Sequence, residues 1–258
     1  MVARIFFWIG NNSLKFLQSI GRYCIFVYNT FLSAKFLGKR WKQLFLQMYN
    51  IGVASIPLIA ITSIFTGMVT AVQASYQTSG FLPNRLVGVM ITKSTMIELA
   101  PVLTALVLAG KIGASMAAEI GSMRISNQID ALEMLSINPF DYLFFPRILA
   151  GSLMLPVLTT FSNLFGIVSG YFVSLGVYNI THAEFVNGIK AFFEPLDFWS
   201  GIIKALFFGF IITSIGCFTG YYAREGAQGV RKVATKSVVY GCILILITDF
   251  AVASILFQ

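Results

Sequence analysis

Long apolar stretches alternate with short polar, basic segments along this chain. A helix needs roughly 20 consecutive apolar residues to cross a bilayer. Five stretches meet that length, at residues 51–74, 86–110, 148–176, 198–222 and 237–257. The pattern predicts an all-α integral membrane protein with five transmembrane helices, here called spans 1 to 5, in a single domain over residues 1–258.

The residues before span 1 have a different pattern. Over residues 11–34, polar side chains such as Lys15 and Arg22 recur at helical spacing opposite apolar ones such as Leu17 and Phe31. A helix of this kind lies in the membrane interface, where anionic lipids attract its basic face. We expect an interfacial helix here. A sixth span is the alternative, because residues 23–34 are also apolar, but roughly 12 residues are too few to cross.

Basic residues are distributed very unevenly between the two sides of the predicted bundle. With the amino terminus placed in the cytoplasm, the inner segments hold 14 Lys and Arg residues, and the outer segments hold 2, Arg85 and Lys190. Cytoplasmic loops of membrane proteins carry such an excess of Lys and Arg. The asymmetry predicts a cytoplasmic amino terminus and a carboxyl terminus on the other side.

Composition narrows the class of protein further. The chain of 258 residues is 57% hydrophobic and 11% charged, with a mean hydropathy of +0.81. Soluble domains carry about 25% charged residues, so there is too little polar surface here for a soluble enzyme. A disordered chain would need low hydrophobicity. The net charge of +8 reflects basic residues placed between apolar runs, which indicates membrane topology rather than nucleic-acid binding.

Several kinds of chemistry have no sequence signature here. The cysteines, Cys24, Cys217 and Cys242, are too scattered for a metal site, and His182 is the single histidine. The phosphate-loop pattern G-x-x-x-x-G-K-[ST] does not occur, so the chain is not expected to hydrolyse ATP. We predict no catalytic residue, no cofactor and no metal in this chain.

Four ionisable residues interrupt the apolar spans: Lys93, Glu98, Lys204 and Asp249. Charges inside a membrane are costly and are therefore functional candidates. Lys93 and Glu98 lie five positions apart on different helix faces, so we do not expect them to pair. Lys204 either extends its amine to the interface or pairs with Asp249. Glu98 either bonds to a neighbouring helix or serves a function.

The segment between spans 2 and 3 predicts a further helix over residues 115–137, which Asn138-Pro139 ends. This helix is polar on part of its surface and apolar elsewhere. It suits docking into a groove of a soluble partner, or lying flat on the membrane. Small residues recur every four positions before it and in later spans, for example at Gly166 and Gly170, which permits close helix packing within one chain or between chains.

The polar residues in and after span 2 closely resemble those of the MlaE/YrbE permease family. The similarity is carried by three motifs: ELAPV at Glu98–Val102, AEIGSMR at Ala118–Arg124 and QIDALEM at Gln128–Met134. Two positions depart from the family pattern. Lys111 replaces a usual arginine, which keeps the charge but loses the bidentate guanidinium, and Asn127 replaces a common acid.

This resemblance implies a permease subunit of an ABC transporter that moves phospholipids between the inner membrane and the outer envelope. It implies a homodimer in the cell inner membrane, with a periplasmic carboxyl terminus. A cytoplasmic ABC ATPase, which holds ATP and Mg, would dock on the coupling helix between spans 2 and 3. A periplasmic MCE-domain protein would cap the outer side.

The resemblance also implies two sets of site residues. The ATPase-coupling set is Glu119, Arg124, Gln128, Asp130 and Glu133. The lipid-pocket set, at the outer ends of spans 1 and 5 and in the loop between spans 1 and 2, is Met68, Val72, Tyr76, Phe81, Leu82 and Ile255. Two other functions are alternatives: a membrane-embedded lipid-modifying enzyme using Glu98 or Asp249, and a purely structural membrane anchor.

Overall fold

The computed structural model describes residues 2–33, 41–78, 83–178, 180–224 and 226–256, and these residues are helical except at short turns. The helices are α1 (Val2–Leu32), α2 (Trp41–Ile51), α3 (Ile56–Thr78), α4 (Arg85–Ser94), α5 (Ala100–Leu108), α6 (Ala114–Ile125), α7 (Gln128–Met134), α8 (Phe145–Gly176), α9 (His182–Phe192), α10 (Pro195–Tyr221) and α11 (Gly226–Leu256).

Five helical segments are long and apolar enough to cross a membrane, which confirms the predicted number of spans. They are Trp41–Thr78, Arg85–Ile125, Phe140–Gly176, Pro195–Tyr221 and Gly226–Leu256. Each extends beyond the predicted apolar stretch at one end or both, because the helices continue into polar residues. The spans form an all-α bundle, with no strand among the described residues.

The helix α1 is not one of the five membrane-spanning segments. It begins at Val2 rather than at residue 11, and it runs unbroken for 31 residues. Tyr23 fixes it to span 4, since the tyrosine hydroxyl lies 2.7 Å from Ser214 Oγ. Burial raises the pKa of Tyr23, although the hydrogen bond with Ser214 opposes the shift. The helix therefore packs on the bundle through a specific polar contact.

Span 2 contains two π-helical turns, Thr95–Leu99 and Ala109–Gly113. The first turn ends at Leu99, two residues before Pro101. Proline has no N–H to donate to the carbonyl four residues earlier, and a π turn accommodates such a gap without ending the helix. As a result, α4, α5 and α6 form one long, irregular span.

Spans 3 and 4 form the centre of the bundle. Within it, α8 packs against α3, α2 and α10, while α10 also packs against α11 and α6. We call the end that holds the α6–α7 connection and the turn between α10 and α11 the basic end. The end that holds α9 is called the opposite end. The helix α11 is the least buried of the spans.

The small residues pack helices within one chain. A Cβ added to Gly67 of α3 would lie 2.0 Å from the carbonyl oxygen of Gly166 in α8. In the same way, a Cβ on Gly216 of α10 would lie 3.1 Å from the carbonyl oxygen of Gly113. Gly67 therefore has no room for a side chain, because the two backbones are almost in contact, and the crossing at Gly216 is tight.

The helix predicted over residues 115–137 is two helices, so that prediction is wrong in detail. The helix α6 ends at Ile125, and α7 begins at Gln128. Between them Asn127 has a left-handed backbone with φ 56°, a conformation that asparagine tolerates better than most residues. The hydroxyl of Ser126 also bonds the carbonyl of Ser122 at 2.9 Å. These two residues end the first helix and redirect the chain.

Candidate functional site

Three of the ionisable residues inside the spans form one ion cluster. The Lys204 side chain is 0% exposed, and its Nζ lies 2.5 Å from Glu98 Oε1 and 2.9 Å from Asp249 Oδ1. The predicted pairing of Lys204 with Asp249 is confirmed. The alternative in which Lys204 extends to the interface is wrong, because the ammonium group lies buried among spans 2, 4 and 5. Glu98 bonds to a neighbouring helix.

A second ion cluster lies nearer the opposite end. Lys93 Nζ is 3.3 Å from Asp197 Oδ2 and 3.4 Å from Glu194 Oε1, at the start of α10. As expected, Lys93 and Glu98 do not pair with each other. Along span 2 the cation Lys93 precedes the anion Glu98. Along span 4 the anionic partner of Lys93 precedes the cation Lys204, so the two spans carry opposite charges in the same order. Two such contacts of opposite sign fix the register between the two spans.

The α6–α7 connection at the basic end is braced by two further ion pairs. Arg147, buried at the start of α8, places its Nη2 2.5 Å from Glu119 Oε1 of α6. Arg124 pairs with Asp130 across the break between α6 and α7, and its guanidinium lies 5.3 Å from the centre of the Tyr221 ring. Three residues of the predicted coupling set therefore hold the connection together within the chain.

The remaining coupling candidates, Gln128 and Glu133, are exposed on α7. The structure also shows two exposed apolar residues that sequence reasoning missed, Met134 at 89% and Leu135 at 71% exposure. On the other face of α7, Ile129 is fully buried. The sequence predicts an unbroken helix up to residue 137. This expectation conceals the turn at Ser136, where φ is 58°.

Lys111 connects span 2 to span 1. Its Nζ lies 2.5 Å from the carbonyl oxygen of Ala54 and 3.1 Å from Ser55 Oγ. These atoms belong to the 3-10 turn Val53–Ser55 between α2 and α3. A single ammonium group suffices for this contact, so the departure from arginine leaves the connection in place.

The predicted lipid-pocket residues lie on two separate parts of one chain. Met68, Val72 and Tyr76 are exposed on α3, and Ile255 is exposed near the end of α11. The helix α3 packs against α8 and α4, whereas α11 packs against α10 and α6. Phe81 and Leu82 lie outside the described residues.

The opposite end carries the short helix α9. Thr181 and Glu184 form a capping box at its start: the Thr181 N–H and hydroxyl donate to Glu184 Oε2 at 2.9 and 2.7 Å. These hydrogen bonds lower the pKa of Glu184. His182 Nδ1 lies 2.8 Å from the Tyr171 hydroxyl. In the described part of the chain, no group of three or more His, Cys, Asp or Glu side chains could hold a metal ion.

The fold, with its five long apolar helices and an ion cluster around the buried Lys204, defines a multi-pass, all-α membrane protein. The family model described as Permease MlaE matches residues 44–255. The chain belongs to the MlaE permease family, which confirms the resemblance seen in the sequence and makes the protein a membrane transport subunit.

Curated relatives agree with this assignment. The chain is 36% identical over 261 residues to a probable ABC transporter permease protein of Rickettsia prowazekii, covering 100% of both chains. It is 39% identical over 212 residues to a probable ABC transporter permease protein of Synechocystis, covering 82% of this chain and 81% of the relative. It is 29% identical over 258 residues to the intermembrane phospholipid transport system permease protein MlaE of Haemophilus influenzae, covering 100% and 99%.

Proposed function

We propose that this chain is the permease subunit of an ABC transporter that moves phospholipids between the inner membrane and the outer envelope. In this proposal two copies form the membrane part, and a separate ATPase drives them. The observation that carries the proposal is the braced α6–α7 connection with its exposed apolar end. Family membership and the name of the Haemophilus influenzae relative support the substrate class.

The α6–α7 connection has the properties of a lever. It continues from α4 and α5 through a π turn, so it moves with span 2. The Glu119–Arg147 pair ties it to span 3. One face of α7 packs on the bundle through the buried Ile129. Met134 and Leu135 are exposed and therefore available to a partner. A force at this tip reaches two spans at once, as a rigid-body transition requires.

ATP and Mg belong to the partner ATPase in this account. Closure of the nucleotide-bound ATPase dimer would move both levers and change the gap between the two permease copies. Nucleotide shifts that equilibrium only through its different affinity for the two states. The residues proposed to contact the ATPase are Gln128, Glu133, Met134 and Leu135, with Glu119, Arg124 and Asp130 holding the lever in position.

The lipid requires an apolar shelter, because each CH₂ exposed to water costs about 0.8 kcal/mol. We place this shelter between the two copies. There α3 of one copy, with Met68, Val72 and Tyr76, would approach the exposed side of α11 of the other, which ends near Ile255. Phe81 and Leu82 complete the proposed set. The exposed apolar surface of α11 supports this arrangement.

The orientation follows the basic residues: the basic end faces the cytoplasm, the carboxyl terminus faces the periplasm, and the membrane is the inner membrane. A periplasmic MCE-domain protein would then meet the opposite end around α9. Glu98 and Asp249 both lie against Lys204, so the geometry gives no support to a lipid-modifying enzyme that uses either carboxylate.

The test is the double variant Met134→Ser/Leu135→Ser in the chain co-expressed with its ATPase. Both side chains are exposed, so the fold should be unaffected. We expect at least about a tenfold loss of co-purified ATPase, since exposed apolar anchors carry much of the energy of an interface, and a matching loss of ATP-driven lipid transfer between liposomes. The control for ATPase co-purification is Val177→Ser, an exposed apolar residue at the opposite end, away from the proposed ATPase contact. Wild-type assembly and transfer by the double variant would contradict the proposal.

A further inference from the structure

One face of the helix α11 is exposed along most of its length. The buried face is fixed by contacts with span 2: Ser237 Oγ donates to the carbonyl oxygen of Gly113 at 3.1 Å, and a Cβ added to Gly121 would lie 3.3 Å from Val233 Cγ2. The exposed face begins with three basic residues, here called the basic strip, and continues with an apolar strip. The basic strip is Arg231, Lys232 and Lys236, and the apolar strip is Val239, Tyr240, Ile243, Leu246, Ile247 and Phe250.

The basic strip is electrostatically unfavourable for the helix that carries it. Lys232 and Lys236 lie four positions apart, and like charges at that spacing repel each other on a helix. Arg231 is adjacent to Lys232, and α11 contains no acidic residue before Asp249. Neither Arg231 nor Lys236 forms an ion pair with a described residue. An anion bound at the strip would relieve this repulsion and would be attracted by three cations at once.

The apolar strip identifies the source of that anion. The basic strip directly precedes the apolar stretch 237–257, so it lies at the membrane interface. From Val239 to Phe250 the apolar strip extends for about 16 Å, at roughly 1.5 Å per residue. That length is close to half of the hydrocarbon core of a bilayer, which is about 30 Å thick. A free phosphate ion or an acidic protein side chain gains nothing from such a surface, whereas a phospholipid carries its phosphate directly above its acyl chains.

We propose that α11 binds one acidic phospholipid of the cytoplasmic leaflet, with the phosphate at the basic strip and an acyl chain along the apolar strip. The leaflet follows from the orientation given under the proposed function, and the inference rests on that function to this extent. The shelter between the two copies uses the other end of this face, near Ile255. A zwitterionic lipid would bring an ammonium group towards three cations, so the site prefers a lipid with a net negative head group, such as phosphatidylglycerol.

The experiment compares two lipids that differ only in their head group. The purified full-length chain is equilibrated with equal amounts of phosphatidylglycerol and phosphatidylcholine that carry the same acyl chains, and the retained lipids are counted by native mass spectrometry. Each basic side chain near an anionic head group strengthens binding about fivefold. We therefore expect the wild-type chain to retain phosphatidylglycerol in at least about tenfold excess.

The variant Arg231→Gln/Lys232→Gln/Lys236→Gln should lower the ratio of the two retained lipids about tenfold. All three side chains are exposed, so the fold and the melting temperature should be unaffected. The variant Lys232→Arg/Lys236→Arg keeps the charge and should keep the preference. The matched control, Arg22→Gln/Lys42→Gln/Lys190→Gln, removes three exposed cations that lie on other helices, and its ratio should stay close to that of the wild type.

Four results would overturn the inference. Equal retention of the two lipids by the wild-type chain is the result expected if the basic strip is only hydrated. An equal loss of preference in the matched control would show that the preference reports total charge. Displacement of phosphatidylglycerol by inorganic phosphate at the same concentration would assign the strip to free anions. Loss of co-purified ATPase in the glutamine variant of the strip, with an unchanged lipid ratio, would assign it to the ATPase.

The outcome is separable from that of the proposed function. Lipid retention is measured on the chain at equilibrium, without nucleotide, whereas the proposed function is tested by ATP-driven transfer. Transfer by a chain that shows no head-group preference removes only this inference. A preference for phosphatidylglycerol in a chain that supports no ATP-driven transfer removes the proposed function and leaves a lipid-binding site.

Discussion

Lys204 Nζ lies 2.5 Å from Glu98 Oε1, inside the part of the bundle that the sequence marks as membrane-spanning. The lysine is fully buried and also contacts Asp249. We expect Lys204→Met to lower the free energy of unfolding by about 3 kcal/mol, because it leaves two carboxylates without a counter-charge. The measurement is thermal or denaturant unfolding of the purified chain in detergent.

A neutral version of the same cluster separates charge from packing. The triple variant Lys204→Met/Glu98→Gln/Asp249→Asn removes all three charges, so it should recover most of the stability lost in Lys204→Met. The control is Lys190→Met, an exposed lysine in α9, which should unfold like the wild type. A triple variant no more stable than Lys204→Met would show that the unpaired carboxylates do not cause the loss of stability.

The crossing of spans 1 and 3 depends on a missing side chain. We expect Gly67→Ala to destabilise the protein by about 1–3 kcal/mol, because the new Cβ would lie 2.0 Å from the carbonyl oxygen of Gly166. Gly110→Ala is the control, since nothing lies within 4 Å of its added Cβ, and its stability should be unchanged or slightly higher. Equal melting temperatures for the two variants would mean that spans 1 and 3 do not cross at Gly67.

The ion pair across the α6–α7 break should be exchangeable. Arg124→Asp alone places two acids together, so ATPase binding should weaken even though Met134 and Leu135 are untouched. The swap Arg124→Asp/Asp130→Arg restores opposite charges and should recover most of the binding. Co-purification with the ATPase is the readout. If the swap binds no better than Arg124→Asp, these residues contact the ATPase directly instead of bracing the lever.

The start of α9 should respond to acid. The pKa of Glu184 is lowered by its bonds from Thr181, so the ionised carboxylate stabilises the helix start above the usual range of glutamate, about pH 4. That stabilisation is lost as pH falls through the lowered pKa of the folded state. Hydrogen exchange at the α9 amides, corrected for intrinsic rates, should therefore speed up on acidification below about pH 4.

The variant Glu184→Gln provides the control for this pH dependence. Glutamine can still accept the capping bond but does not titrate in this range. In this variant the corrected exchange rates of the α9 amides should not rise on acidification, because residue 184 no longer titrates. The same acid response in both proteins would assign the effect to another group.

The spans and the central motifs could be predicted from the sequence because hydrocarbon length and charge asymmetry are local properties. The pairing of Lys204 with Asp249 was also within reach, since few counter-charges exist inside the spans. That Lys204 also bonds Glu98 was not predictable, because the contact depends on how spans 2 and 4 are placed against each other. A pattern along one helix carries no such information.

For the α6–α7 connection the sequence predicted a structure that the fold does not have. Residues 115–137 contain good helix formers and no proline, so an unbroken helix is the local expectation. Asn127 instead adopts a left-handed conformation, and Ile129 is buried against the bundle. Tertiary packing therefore decided the break, and the break exposes Met134 and Leu135.

Native mass spectrometry of the intact assembly, with its bound lipids identified, tests the central claim most directly. The account predicts two copies of this chain together with a separate ATPase and retained phospholipid, and it predicts that Met134→Ser/Leu135→Ser releases the ATPase without separating the two copies. A single copy that carries lipid across a membrane with no ATPase attached would contradict it.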